Sequence, residues 1–399
     1  MSFSFAFDID ASELDDQIDF SSLNLSTDHQ QEQEQPTAST SSIPHAAVPL
    51  NELLATLPPL LSYTPIEIPV PSHPDQPITL LRRDLFDARF QILNQDESVP
   101  VNEEKGKQKE QQESPKEEQF IDESSDLVKG VYEGGLKTWE CSLDLVECLD
   151  QRGFSPVRDL ETERVRGKSV LEVGCGTAVP ACALFSRLLN EIQQSPTPPG
   201  EKPKKRTRIH LQDYNKQVLS LITLPNLLLT YAHHVILARA AATPAPDADE
   251  ENNTDSSTPQ FKGPGELDVT PEFLESFETL LEHEGIELEF SEGDWSGMKE
   301  KIKGFDIVLT SETVYSLPSL PSLLDLLEAA AATVGSEEGE HLCLVACKRI
   351  YFGVGGGELE FRRRVEERAG NVESVWGEGT GKGKSEGVGR TVLKVEWKK

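Results

Sequence analysis

Apolar positions along the chain follow two rhythms. Short runs, rich in β-branched residues or alternating with polar ones, occupy Ser169–Val173, Arg208–Tyr214, Ile286–Phe290, Phe305–Thr310 and His341–Cys347, and each reads as a strand. Between them the spacing becomes helical. Leu143, Val146 and Leu149 make one face of a helix that starts near Thr138 and is ended by Gly153. Ala181–Asn190 and Val218–Thr230 are further helices, the second expected to kink or divide at Pro225. Thr270 caps a helix with Pro271 in its first turn and Phe273, Leu274, Phe277, Leu280 and Leu281 as its buried stripe. Helices over Pro318–Ala332 and Glu358–Arg368, then strands at Val372–Trp376 and Arg390–Trp397, close the chain. Strands alternating with helices predict an α/β fold, a Rossmann-like parallel sheet with helices on both faces and ligands at the strands' carboxyl ends.

Outside this alternation the pattern fades. Residues 1–50 are polar and expected to be disordered, with Phe3, Phe5 and Phe7 alternating like a short docking strand. Leu50–Pro69 mixes leucines and prolines and reads as extended or weakly helical. In 81–92, Leu81, Leu85, Phe86, Ala88 and Ile92 have roughly helical spacing, predicting a second small docking element. Residues 95–120 form a mixed-charge linker. The expected division is a largely disordered extension over 1–125 and one domain over 126–399, interrupted by insertions at about 191–207 and 240–270.

Charge and cysteine content narrow the function. The formal net charge of −31 disfavours direct nucleic-acid binding and suits a basic protein partner. No run of about 18 apolar residues occurs, so no membrane span is expected, and the acidic start lacks the basic region of a signal peptide. The six cysteines (Cys141, Cys148, Cys175, Cys182, Cys343 and Cys347) all lie in expected core and form no C-x-x-C pair. Buried reduced thiols in a cytoplasmic or nuclear protein explain them better than disulfides or a metal site. The basic cluster Lys204–Arg208 reads as a solvated loop and His210 as a core residue.

Residues able to do chemistry fall just after strands. Glu172, Gly174, Cys175 and Gly176 join the first strand to a helix through a glycine turn, where a ligand can approach the backbone and the helix's first N–H groups. The dinucleotide pattern G-x-G-x-x-G fails at Val179, which disfavours an NAD oxidoreductase. Asp213 after the second strand is placed to accept both hydroxyls of a ribose. Asp294 and Trp295 after the third suit an adenine amino group and ring face. Ser311, Glu312 and Tyr315 follow the fourth.

Taken in one order, Gly134–Glu140, Val170–Gly176, Gln212–Asn215, Gly293–Trp295, Ser311–Tyr315 and Lys348–Gly357 resemble the seven-strand class I S-adenosylmethionine-dependent methyltransferases that modify protein lysine and histidine side chains. The strings at 130–137 and 351–357 resemble the protein-histidine branch, which acts on a large-subunit ribosomal protein. The resemblance implies a seven-stranded sheet and S-adenosylmethionine as cofactor. It places Thr138, Trp139, Glu140, Cys141, Glu172, Gly174, Cys175, Gly176, Gln212, Asp213, Tyr214, Asn215, Gly293, Asp294, Trp295 and Ser311 around that cofactor, and Glu312 and Tyr315 at the acceptor. It further implies a monomer acting on a basic protein, and a glycine-rich 353–357 loop shaping the cleft. Ala178 departs from the glycine that related enzymes often carry.

A sulfonium methyl group is already activated, so such an enzyme must align a lone pair with it and exclude water. An imidazole, with a reference pKa of about 6.5, is mostly neutral at pH 7 and needs only to be oriented. Glu312 is expected to hold one ring N–H while Tyr315 packs on the ring. A lysine acceptor, at about 10.4, would also have to lose a proton. A protein-lysine methyltransferase of the same fold and a noncatalytic interaction protein are the alternatives that the sequence leaves open.

Overall fold

The computed structural model describes residues 43–88, 91, 127–128, 132–133, 135–242, 263–302, 304–331, 341–352, 355–377 and 389–397. The expectations for Phe3–Phe7 and for the 95–120 linker lie outside them, as does most of the 240–270 insertion.

In chain order the elements are β1 (Ala46–Val48), α1 (Leu50–Leu54), β2 (Leu60–Ile68), β3 (Ile78–Arg83), β4 (Leu127–Val128), β5 (Tyr132–Glu133), α2 (Glu140–Leu149), β6 (Ser169–Val173), α3 (Val179–Gln194), β7 (Thr207–Gln212), α4 (Leu224–Ala242), β8 (Gly265–Asp268), α5 (Pro271–His283), β9 (Ile286–Glu292), β10 (Ile307–Ser311), α6 (Leu320–Ala331), β11 (Leu342–Lys348), α7 (Glu358–Glu367), β12 (Gly370–Gly377) and β13 (Arg390–Trp397). The main sheet runs β1-β9-β7-β6-β10-β11-β13-β12. Its five central strands are parallel; β1 and β13 run against them, and β12 pairs antiparallel with β13. The chain moves outward from β6 through β7 to β9 and then returns to lay β10 on the other side of β6. That reversal opens a crevice at the carboxyl ends of β6 and its neighbours.

Both faces of the sheet are covered, which is why its central strands read as unbroken apolar runs. Val170, Ile209, Leu309 and Leu344 face a core shared with α2, α3, α4 and α5. Their neighbours Leu171, Val308, Cys343 and Val345 face a second core under α6 and α7. All six cysteines are buried, and none is in a disulfide.

Two expectations need correction. The sheet has eight strands, the eighth being β1, which Ala46↔Glu292 and Val48↔Phe290 set on the edge of β9. Leu81–Arg83 belong to β3 and helix begins only at 85, with Phe86 left 68% exposed. At the end of the 240–270 insertion, β8 pairs with β2, making a second sheet of order β3-β2-β8. That sheet explains a helix apolar all round. The stretch Lys216–Ala238 is long and apolar enough by composition to cross a membrane, yet 67% of its most apolar window is buried inside the molecule. Helix α3 lies on one side of α4 and β3 on another, so it has little solvent face to keep polar. The expected irregularity at Pro225 is a π-turn over Leu219–Thr223 that ends just before the proline, where α4 begins.

Candidate active site

The turn after β6 is built on positive φ angles: Gly174 at 61°, Gly176 at 50° and Ala178 at 51°. A Cβ at Gly174 would stand 2.6 Å from Thr313 Cγ2, and one at Gly176 would stand 3.2 Å from the Gly135 carbonyl oxygen. Glycine is therefore required twice, by conformation and by crowding. The backbone is pinned from β7: Cys175 N–H donates to the Gln212 carbonyl (2.8 Å), and Gly176 N–H to Asp213 Oδ2 (2.9 Å). The π-turn before α4 and the start of α4 hold the far side of the turn. Thr223 Oγ1 donates to the Gly176 carbonyl (2.7 Å) and Asn226 Nδ2 to the Thr177 carbonyl (2.8 Å).

Three neighbouring strand ends complete a cleft of about 730 Å³, open mouth included. Trp139, Gly174, Cys175, Gly176, Asp213 and Tyr214 line it, as do Asn215, Trp295, Ser311, Glu312 and Tyr315. All eleven were picked out by the sequence. The other seven predicted residues stand behind the lining, and their contacts say why. Glu172 is buried beneath the turn, with Oε2 accepting the Ala181 N–H (2.8 Å), so it holds the start of α3. Burial, opposed by that bond and reinforced by the Asp213 charge, pushes its pKa up to about 8. Gln212 brackets three strand ends: Oε1 accepts from Gly174 N–H (3.2 Å) and Trp295 Nε1 (2.8 Å), and Nε2 donates to the Gly293 carbonyl (3.0 Å). Gly293, at φ 90°, lets residues 43–44 pass; a Cβ there would collide with the Pro44 carbonyl. Asp294 caps the short 3-10 turn at Trp295 by accepting Ser296 N–H (2.7 Å). Thr138 Oγ1 reaches Thr177 Oγ1 at 3.3 Å, Glu140 is exposed on the first turn of α2, and Cys141 is buried beside Glu312.

The acceptor end is organised by Glu312, which sits at φ 57° directly after β10. Tyr351 Oη donates to its Oε2 at 2.7 Å. Lys348 Nζ stands 3.5 Å from Oε1, an ion-pair distance, and Oε1 is buried without a hydrogen bond. Burial, followed by the Glu312 charge, raises the Tyr351 pKa well above its ordinary value, and the same two causes in that order raise the Cys141 thiol. Both therefore stay protonated beside the carboxylate. The Tyr315 and Tyr351 rings are 6.2 Å apart. Trp139 carries two ammonium groups over its ring, Lys137 at 5.0 Å and Lys348 at 4.9 Å. Of the glycine-rich loop, Gly355 bridges to Ser316 and Gly356 packs on the Val314 and Tyr315 carbonyls, so the loop is stitched to the acceptor segment; 353–354 lie outside the described residues. The chemistry missed by the sequence reading is that of Lys137, Ser142, Thr177, Thr313, Lys348 and Tyr351. Lys137, Lys348 and Tyr351 do fall inside the stretches 134–140 and 348–357 that carry the resemblance.

A doubly covered parallel sheet, a glycine turn with Val179 in place of the third glycine of the dinucleotide pattern, and an acid after β7 define a class I S-adenosylmethionine-dependent methyltransferase. The residues fit that cofactor: the turn exposes backbone to the cleft, Asp213 presents a carboxylate where ribose hydroxyls would lie, and Trp295 offers an aromatic face. Histidine protein methyltransferase 1 of Schizosaccharomyces pombe is 31% identical over 328 residues, covering 80% of this chain and 77% of that protein. Its Saccharomyces cerevisiae counterpart is 29% identical over 301 residues, covering 72% and 69%, and a Bos taurus homolog 29% over 251 residues, covering 61% and 51%. The chain belongs to this histidine protein methyltransferase 1 family and is a protein-histidine N-methyltransferase that uses S-adenosylmethionine. No family model matches the chain. Among solved structures, the ribosomal protein L11 methylase from Lactobacillus delbrueckii subsp. bulgaricus aligns with a TM-score of 0.31 and 10% identity over 67% of this chain and 84% of that one.

Proposed function

We propose that the enzyme transfers a methyl group to an imidazole nitrogen of a histidine in a large-subunit ribosomal protein, and that Glu312 orients the ring. The observation that carries this is the state of the Glu312 carboxylate on the cleft lining. One oxygen is occupied by Tyr351, while the other is buried, lacks a hydrogen bond and lies beside a cation. Such an acceptor suits one ring N–H, and the bond would leave the opposite nitrogen's lone pair turned toward the cofactor. Neutral imidazole needs no stronger base, so the protein's part is orientation and exclusion of water. Tyr315 packs on the ring.

S-adenosylmethionine, when bound, supplies an electrophilic methyl on a sulfonium. Asp213 and Asn215 would hold its ribose, Tyr214 and Trp295 its adenine, and the Gly174–Gly176 backbone with Trp139 and Ser311 the methionine end. Glu172, Gln212, Gly293 and Asp294 act as positioning residues behind these. A basic substrate complements a chain of net charge −31, and the strings at 130–137 and 351–357 resemble enzymes acting on such a ribosomal protein. That substrate would be met in the cytoplasm or nucleus. The test is labelled transfer from S-adenosylmethionine into unmethylated large-subunit ribosomal proteins, followed by peptide mass spectrometry. One methylated histidine is expected; a label confined to other proteins would reject the ribosomal target.

A further inference from the structure

We propose that Lys348 sets the enzyme's preference for histidine over lysine by cancelling the charge of the acceptor carboxylate. The inference rests on the reading of Glu312 given above. A lone carboxylate in a half-buried cleft would attract a lysine ammonium more strongly than a neutral imidazole. Here it is not alone. Lys348, the last residue of β11, places Nζ 3.5 Å from Glu312 Oε1 and over the rings of Trp139 (4.9 Å) and Tyr351 (5.9 Å). Its side chain is 23% exposed and that of Glu312 is 9% exposed, so solvent screens the pair only in part.

Tyr351, Cys141, Cys347 and Asp144 also act electrostatically on Glu312. Tyr351 and Cys141 are held protonated, and Lys137 adds a second cation 5.0 Å from the Trp139 ring. Asp144, on α2, is paired with Arg390 (2.5 Å). An incoming ammonium thus meets a neutral pair flanked by a further cation, and gains little for the hydration that it sheds. A neutral imidazole needs only the hydrogen bond to Oε1, which the ion pair leaves available. Lysine also starts about four pKa units further from its reactive form, and the pocket gives no help in removing that proton. Discrimination through an introduced repulsion is a general device of specific sites.

The experiment uses the full chain, labelled S-adenosylmethionine and unfractionated large-subunit ribosomal proteins, which offer many lysines. Acid hydrolysis separates methylhistidine from methyllysine. Wild type is expected to give methylhistidine. Lys348→Met and Lys348→Gln are expected to raise the methyllysine-to-methylhistidine ratio at least about tenfold, and Lys348→Arg to keep the wild-type ratio. An unchanged ratio in Lys348→Met and Lys348→Gln overturns the proposal. So does loss of all labelling in both, because a residue that only discriminates is dispensable for transfer. A wild-type enzyme that labels no histidine would instead overturn the functional reading beneath, before any variant is compared.

Discussion

Glu312 holds a backbone conformation, φ 57°, that residues with a side chain seldom adopt, at a cost of about 1 kcal/mol or more. Conformation and partners together fix the carboxylate, and Tyr351 donates it a hydrogen bond of 2.7 Å. Hydrogen bonds to a charged group contribute about 1.5–3 kcal/mol. Tyr351→Phe is therefore expected to lower kcat roughly ten- to a hundredfold with unchanged cofactor affinity, read by single-turnover methyl transfer and a binding titration; unchanged kcat would show that the carboxylate does not need this donor. Glu172 has a different signature. Its pKa is about 8 in the folded protein against about 4.5 unfolded, so the folded state binds the extra proton between those values. Stability from this group is present below about 4.5 and lost as pH rises through 8. Glu172→Gln cannot ionise, so its Tm relative to wild type should climb between pH 5 and pH 8.5; a pH-independent difference would place the carboxyl elsewhere. The sequence showed the strand-end acids clearly but not which ones reach the cleft. An acid in the last turn of a strand can point into the ligand space, as Asp213 does, or under the turn, as Glu172 does. Only the glycine turn's path decides.

At the scale of elements, the segment before β6 is held by one buried ion pair. Arg187, on α3, has no exposed side-chain surface, bonds Glu191 Oε1 at 2.6 Å and donates to the carbonyls of Ser155, Arg158, Asp159 and Thr162. Glu191 in turn accepts the backbone N–H groups of Arg164, Val165 and Arg166. Arg187→Met leaves that carboxylate and those carbonyls without the guanidinium. It is expected to lower unfolding free energy by about 3–5 kcal/mol, measured by urea denaturation; a loss under about 1 kcal/mol would mean that water replaces the arginine. The strands of the extension were hidden from the pattern for a related reason. In β2, Pro65 sits where pairing with β8 has already ended at Tyr63 and only β3 adjoins, so a strand tolerates it. In β3, Leu80, Leu81 and Arg83 are all buried, which blurs the two-residue alternation and mimics helical spacing. The parallel strands were legible because burial on both faces leaves an apolar run that little else produces.

For the molecule as a whole, the order of strand ends joins the fold to the reaction. The chain reverses between β6 and β10, and residues separated by more than a hundred positions close one cleft: Trp139 before α2, the turn after β6, Asp213 after β7, Trp295 after β9 and Glu312 after β10. Tyr351, just beyond β11, bonds the last of these, and Lys348, at the end of β11, stands beside it. An acidic chain built this way meets a basic protein favourably at long range and then offers a locally neutral acceptor pocket. The most direct measurement is amino-acid analysis of protein labelled from S-adenosylmethionine, with wild type beside Glu312→Gln and cofactor affinity measured in parallel. Methylhistidine from wild type, reduced at least about a hundredfold in the variant at equal cofactor affinity, is the expected result. Undiminished methylhistidine from Glu312→Gln, or methyllysine as the wild-type product, would contradict it.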